Sequence, residues 1–69
     1  MKKKAESGLY TNGHESFQID KTEKDEIMTL HAITQVSYFP LKKGDTIPLN
    51  IETVESLIND KELGYKQTK

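Results

Sequence analysis

Apolar residues are scarce in this chain and unevenly placed, which limits where a core can form. Hydrophobic residues make up 33% of the 69 residues. Six of them lie in residues 1–26 and seventeen lie in residues 27–65. Because a chain this short buries a small fraction of its surface, the core is expected where those side chains concentrate. The distribution predicts a small α+β domain over residues 27–66, an N-terminal arm or hairpin over residues 1–26, and a frayed terminus over residues 67–69.

The N-terminal segment contains one signal for a β-hairpin. Asn12-Gly13 is a favoured pair for a type I′ turn, in which both central residues need positive φ. After the turn, Phe17 and Ile19 alternate with polar residues and form one apolar face. These features favour a hairpin over residues 9–19, with a disordered arm as the alternative.

The segment from residue 27 to residue 39 alternates in a way that predicts a strand. Its even positions are mostly apolar, and its second half is rich in β-branched and aromatic residues. A helix over residues 22–39 is the alternative, because Thr22 followed by Asp25 resembles a capping box. The apolar even positions are Met28, Leu30, Ala32, Val36 and Tyr38.

The next segment is expected to form a strand, a tight turn and a second strand. Gly44 stands where a left-handed residue would close the turn. Ile47 and Leu49 alternate around Pro48, which has no backbone N–H to give to a ladder. The second strand is therefore predicted to lie at a sheet edge, and an edge flanked by Pro40 and Pro48 offers a pairing surface.

A C-terminal helix is predicted over about residues 51–62. Asn50 is a suitable N-cap, and Gly64 is a suitable stop. Four apolar side chains recur at helical spacing: Ile51, Val54, Leu57 and Ile58. Tyr65 would begin a short closing strand. The predicted fold class is α+β, with a small antiparallel sheet or hairpins packed on this helix.

One half of the chain combines a lysine-glycine-aspartate turn, an alternating strand, a capping residue and a short helix. Its elements are Lys42-Lys43-Gly44-Asp45-Thr46, Ile47 and Leu49, Asn50, and then Val54, Leu57 and Ile58. In this pattern residues 31–65 resemble a small module found in phage and prophage reading frames. The resemblance implies a virion-related or accessory phage protein with no catalytic residues to carry over.

No residue pattern in the sequence indicates catalysis, a cofactor or a metal. His14 and His31 are the two histidines, cysteine is absent, and neither histidine has metal-ligand spacing. A nucleophile needs a base that a third group orients, and the sequence shows no such arrangement. We therefore expect a protein that is not an enzyme and carries no cofactor.

The charges disfavour sequence-specific nucleic-acid binding. All ten basic residues are lysines, and eleven carboxylates offset them. Lysine gives salt-sensitive attraction to phosphates without the bidentate contacts of arginine. A small nucleic-acid-binding regulator that uses these lysines is kept as an alternative, as is an inhibitor of a host enzyme.

The sequence favours a protein-binding role. A domain of about forty residues without disulfides is expected to be marginal alone, so a homo-oligomer or a complex with a larger protein is predicted. No segment is apolar enough to predict a membrane span, and a cytoplasmic location is expected, or a virion-associated one if the chain is phage-derived. The candidate contact residues are Phe17, Ile19, Tyr38, Phe39 and Tyr65.

Overall fold

A computed structural model describes residues 4–68, which form a five-stranded antiparallel sheet and a single helix. The strand order is β4-β3-β2-β1-β5. Because β4 and β5 lie at opposite edges, the chain must cross from one edge to the other through α1. This arrangement confirms the predicted α+β class. The elements are β1 (Gly8–Thr11), β2 (Ser16–Lys21), β3 (Ile27–Ala32), β4 (Thr46–Asn50), α1 (Ile51–Asn59) and β5 (Lys66–Thr68).

One core cluster joins the sheet to the helix. Strand residues that face the same side of the sheet pair across the strands, as Phe17 does with Tyr10 and Ala32. The buried side chains of α1 belong to the same cluster. The cluster consists of Tyr10, Phe17, Ile19, Met28, Leu30, Ala32, Val36, Leu41, Val54, Leu57, Ile58 and Tyr65.

The predicted division of the chain at residue 26 was wrong. Strand β2 lies in the middle of the sheet, between β1 and β3, and its Phe17 and Ile19 side chains are fully buried. The low number of apolar residues in this segment suggested that it lies outside the core, but a strand that buries only one face needs few apolar residues. The prediction of fraying also fails for residues 67 and 68, which belong to β5 and pair with β1. Residues 1–3 and 69 lie outside the described part of the chain.

The predicted N-terminal hairpin is present, but its turn is not of type I′. Within residues 4–68 no residue other than glycine has a positive φ, so Asn12 cannot take the required conformation. Its side-chain Oδ1 instead accepts hydrogen bonds from the backbone N–H groups of His14 (2.9 Å) and Glu15 (2.8 Å). An asparagine side chain can cap a turn in this way without positive φ, and Gly13, at φ 92°, supplies the left-handed residue.

The strand predicted over residues 27–39 is confirmed for Ile27–Ala32 and is wrong for residues 33–39, and the alternative helix over 22–39 does not form. Strand β3 ends at Ala32, and a connection of residues 33–45 leads to β4. The prediction of a strand before Gly44 was wrong, since Leu41 forms only an isolated β-bridge with Val36. Gly44 does adopt the expected left-handed conformation, at φ 92°, and its N–H donates to the Ala32 carbonyl (2.8 Å).

The helix begins where predicted and ends at Asn59 rather than at residue 62. Asn50 occupies the N-cap position in an extended conformation, but its side chain makes no capping hydrogen bond. Beyond the helix, Asp60 Oδ1 accepts from the Glu62 N–H (2.9 Å), which closes a separate turn. Asp60 is therefore the residue that turns the chain, and the left-handed Gly64 follows that turn.

Strand β4 is an edge strand, as its proline predicted. The Ile51 N–H donates to the Glu26 carbonyl, and the Ala32 N–H donates to the Asp45 carbonyl. Hydrogen-bonded pairs alternate along an antiparallel ladder, so the intervening pair of Thr29 and Pro48 is of the non-hydrogen-bonded type. The nitrogen of Pro48 thus faces the open edge, where it removes one donor that an added strand would need.

Candidate interaction surface

The connection between β3 and β4 carries a small hairpin of its own. Val36 and Leu41 exchange two backbone hydrogen bonds, of 3.1 and 3.0 Å, and both side chains are buried in the core. The four residues between them, Ser37, Tyr38, Phe39 and Pro40, form a turn that we call the aromatic tip. Because its base is buried on both sides, the hairpin is attached to the core at two points.

The aromatic tip displays a pair of rings. The Tyr38 and Phe39 ring centroids lie 4.6 Å apart with the planes at 89°, an edge-to-face contact. Phe39 is half-buried and packs against the core, while Tyr38 is 42% exposed as a residue. Ile33, at the start of the same connection, is exposed to the same degree. Tyrosine is enriched among the residues that dominate protein contacts, so Tyr38 is the side chain of this connection best suited to one.

Glu15, in the β1–β2 turn, binds the aromatic tip. Its Oε2 accepts hydrogen bonds from the Ser37 backbone N–H (3.0 Å) and the Ser37 hydroxyl (2.6 Å). Its Oε1 accepts a hydrogen bond from the Tyr65 hydroxyl (2.7 Å). One carboxylate therefore joins the β1–β2 turn, the aromatic tip and the residue that precedes β5.

These contacts favour the charged form of Glu15. The hydrogen bonds from the side chains of Ser37 and then Tyr65 lower the pKa of its carboxyl below the ordinary value of 4.5. Burial, and then the hydrogen bond to Glu15, raise the pKa of the Tyr65 phenol. At neutral pH the carboxylate is therefore ionised and the phenol keeps its proton, which is the pairing that the hydrogen bond from Tyr65 to Glu15 requires.

Three of the five predicted contact residues are in the core instead. Phe17 and Ile19 are fully buried, and the Tyr65 residue is 1% exposed. The Phe17 ring lies edge-to-face against Tyr65, with centroids 4.8 Å apart. Because they are buried, these side chains are not available to a partner in this fold. The prediction had assumed a core of about forty residues, whereas the complete sheet and the helix enclose more aromatic residues than such a core could. Tyr38 and Phe39, by contrast, come together at the aromatic tip.

Glu15, Ser37 and Ile33 were not among the residues predicted from the sequence. Glu15 and Ser37 lie 22 positions apart, and each is an ordinary polar residue in its local segment. Their contact depends on how β2 and β3 pair, which a single sequence does not specify. For Ile33 the sequence does hold one signal, an apolar residue at an odd position of a segment whose apolar face was predicted at the even positions.

The sheet face opposite the helix carries a polar network. His31 Nε2 lies 2.8 Å from Asp20 Oδ2, and His31 Nδ1 lies 3.1 Å from the Thr46 hydroxyl. Gln18 donates to the other oxygen of Asp20 (3.1 Å). The side chains of His31 and Asp20 are 45% and 44% exposed, so water competes for each contact and the network is best described as cross-strand pairing.

Two further features bear on the classes of function. Within residues 4–68, no group of three or more histidine, cysteine, aspartate or glutamate residues is placed to hold a metal ion. In the same range, no helix is both long enough and apolar enough to span a bilayer.

Comparison with known proteins gives no relative. No protein-family model, curated protein or solved structure matches the chain. What can be said about its function therefore comes from its own geometry.

Proposed function

We propose that this protein is a non-enzymatic interaction module that docks on a larger protein through its aromatic tip. The observation that carries the proposal is a hairpin whose base, Val36 and Leu41, is buried while its tip holds Tyr38 exposed against Phe39. A contact group that is already positioned loses little entropy on binding. Tyrosine is also among the residues that dominate binding energy at protein interfaces.

A different protein is a better partner for this surface than a second copy. The expectation of self-association came from a core of about forty residues, whereas the core cluster draws on residues from Tyr10 to Tyr65. The β4 edge is also a poor pairing surface, because Pro48 lacks the donor that an added strand would need there. The homo-oligomer stays a prediction that the experiment below also tests.

The phage or prophage origin suggested by residues 31–65 also stays a prediction, together with the cytoplasmic or virion-associated location. It bears on the source of the partner and not on the contact surface. A host protein or a phage structural protein would meet the same aromatic tip.

Site-specific photocrosslinking tests the proposal. A benzophenone side chain is placed at Tyr38 in one variant and at Leu9 in another, since Leu9 is 37% exposed on a different part of the sheet. Illumination in an extract of the native source is expected to give one discrete adduct with another protein from position 38 and none from position 9. Excess wild-type protein should suppress that adduct.

Three outcomes contradict the proposal. Equal adducts from both positions would mean non-specific contact. The absence of any adduct from position 38 would exclude the aromatic tip as the docking surface. An adduct of twice the chain mass alone would replace docking on a larger protein with self-association.

A further inference from the structure

The aromatic tip has one hydrogen-bonded attachment beyond its own base. Among the described residues, the hydrogen bonds from residues 37–40 to the rest of the protein all come from Ser37 and end on Glu15. The Phe39 ring adds apolar packing. The hydrogen bonds that hold the tip over the β1–β2 turn therefore all end on a single carboxylate.

That carboxylate is itself held from a second side. The Tyr65 hydroxyl donates to Glu15 Oε1, and the Tyr65 ring is fixed in the core against Phe17. The Glu15 residue also belongs to a turn that the Asn12 side chain closes. The two carboxylate oxygens thus bind different parts of the protein: Oε1 binds Tyr65 of the core, and Oε2 binds Ser37 of the aromatic tip.

We infer that Glu15 is the positioning residue of the aromatic tip: its ionised carboxylate holds Ser37 so that Tyr38 is presented, and protonation of this carboxylate releases the tip. The consequence for binding rests on the proposed docking function, but the release itself can be measured without a partner. Glu15 does not contact the partner in this scheme and acts through Ser37.

The chemistry of the carboxyl group determines that the tip is released as the pH falls. An ionised carboxylate accepts charge-assisted hydrogen bonds at both oxygens, whereas a protonated carboxyl is neutral, accepts more weakly and carries a hydrogen on one of the two oxygens. The groups that face Glu15 are Ser37, Tyr65 and the neighbouring His14, whose charge also lowers the pKa of the carboxyl. The contribution of the contact is complete above the ordinary value of 4.5 and disappears as the pH falls through the lowered pKa of the folded protein.

Backbone amide hydrogen exchange followed by NMR tests the inference on the whole chain. In Glu15→Gln the amide of Ser37 is expected to exchange about tenfold faster than in the wild type, because a charge-assisted contact is lost. The amide of Leu30, in the centre of the sheet, should keep its rate. Glu23→Gln is the matched control, since Glu23 is an exposed carboxylate of the β2–β3 turn, at the opposite end of the sheet from Glu15.

An acid titration supplies a readout that general destabilisation would not give. In the wild type, the Ser37 amide shift should follow the titration of Glu15, and this dependence should vanish in Glu15→Gln and persist in Glu23→Gln. Unchanged Ser37 exchange in Glu15→Gln, or a Ser37 shift that does not follow Glu15, would overturn the inference.

Failure of the inference and failure of the proposed function are distinguishable. If photocrosslinking at position 38 finds no partner while Ser37 responds as described, the docking function fails and the positioning role stands. If the partner is found and Glu15→Gln changes neither exchange nor binding, the positioning role fails and docking stands.

Discussion

The sheet-and-helix core and the β3–β4 connection hold their aromatic residues in opposite ways. In the core, Phe17 contacts Tyr10 on one side and Tyr65 on the other, and all three rings are almost completely buried. In the connection, Tyr38 and Phe39 contact each other while Tyr38 remains 42% exposed. Aromatic content alone therefore does not separate a core from a contact surface, because an edge-to-face pair occurs in both regions: Phe17 with Tyr65 in the core and Tyr38 with Phe39 in the connection.

The two regions should therefore respond differently to the loss of a ring. Phe17→Ala is expected to destabilise the protein by about 3–5 kcal/mol, because it removes a fully buried ring and leaves a cavity. Urea denaturation followed by circular dichroism measures the change. A loss below about 1 kcal/mol would show that the core described here is not closed around Phe17.

A smaller effect is expected at the turn that leads into β4. Gly44→Ala should cost about 1–2 kcal/mol, because Gly44 has φ 92° and a side chain is strained there. Nothing lies within 4 Å of the added Cβ, so the cost is conformational and not steric. Urea denaturation again gives the value, and an unchanged midpoint would mean that the turn adapts without loss.

The contact that joins the two regions should be weaker still. Tyr65→Phe keeps the buried ring and removes the hydrogen bond to Glu15, at an expected cost of about 1 kcal/mol at neutral pH. Because that bond helps to lower the pKa of Glu15, the wild type should lose stability as the pH falls from 4.5 through the lowered pKa, and the variant should lose less. Unfolding at pH 7 and pH 3 measures both, and parallel losses would contradict the assignment.

The smallest effect on stability is expected at the exposed ring. Tyr38→Ala should cost about 0.5 kcal/mol, the lower end of the range for an aromatic pair, because its contact with Phe39 lies at the exposed surface. The same denaturation experiment measures it. A loss as large as that of Phe17→Ala would mean that Tyr38 belongs to the core and not to a contact surface.

Much of this fold could be predicted from local patterns. Alternation placed β3, helical spacing placed α1, and Pro48 placed β4 at an edge. Each of these patterns lies within one element and reports how that element is buried or paired. The role of β2 could not be predicted in this way, because its two buried residues become a sheet centre only once β1 and β3 pair with it.

The candidate site was predicted in part, for a related reason. Tyr38 and Phe39 were proposed together with three residues that are in fact buried, because the chain holds more aromatic residues than a core of about forty residues was expected to enclose. Glu15 could not be proposed, because its partners Ser37 and Tyr65 lie 22 and 50 positions away. Residues that position a surface act through tertiary contacts, and a single sequence carries no trace of them.

The most direct test of docking through the aromatic tip measures affinity and stability on the same variant. Once the crosslinked partner is isolated, its binding to the wild type and to Tyr38→Ala is compared by calorimetry, with Leu9→Ala as the control. We predict that Tyr38→Ala weakens binding by about thirtyfold, the loss of about 2 kcal/mol that marks an interface hot spot, while the unfolding midpoint stays close to that of the wild type. Equal affinities for the two proteins would contradict the account.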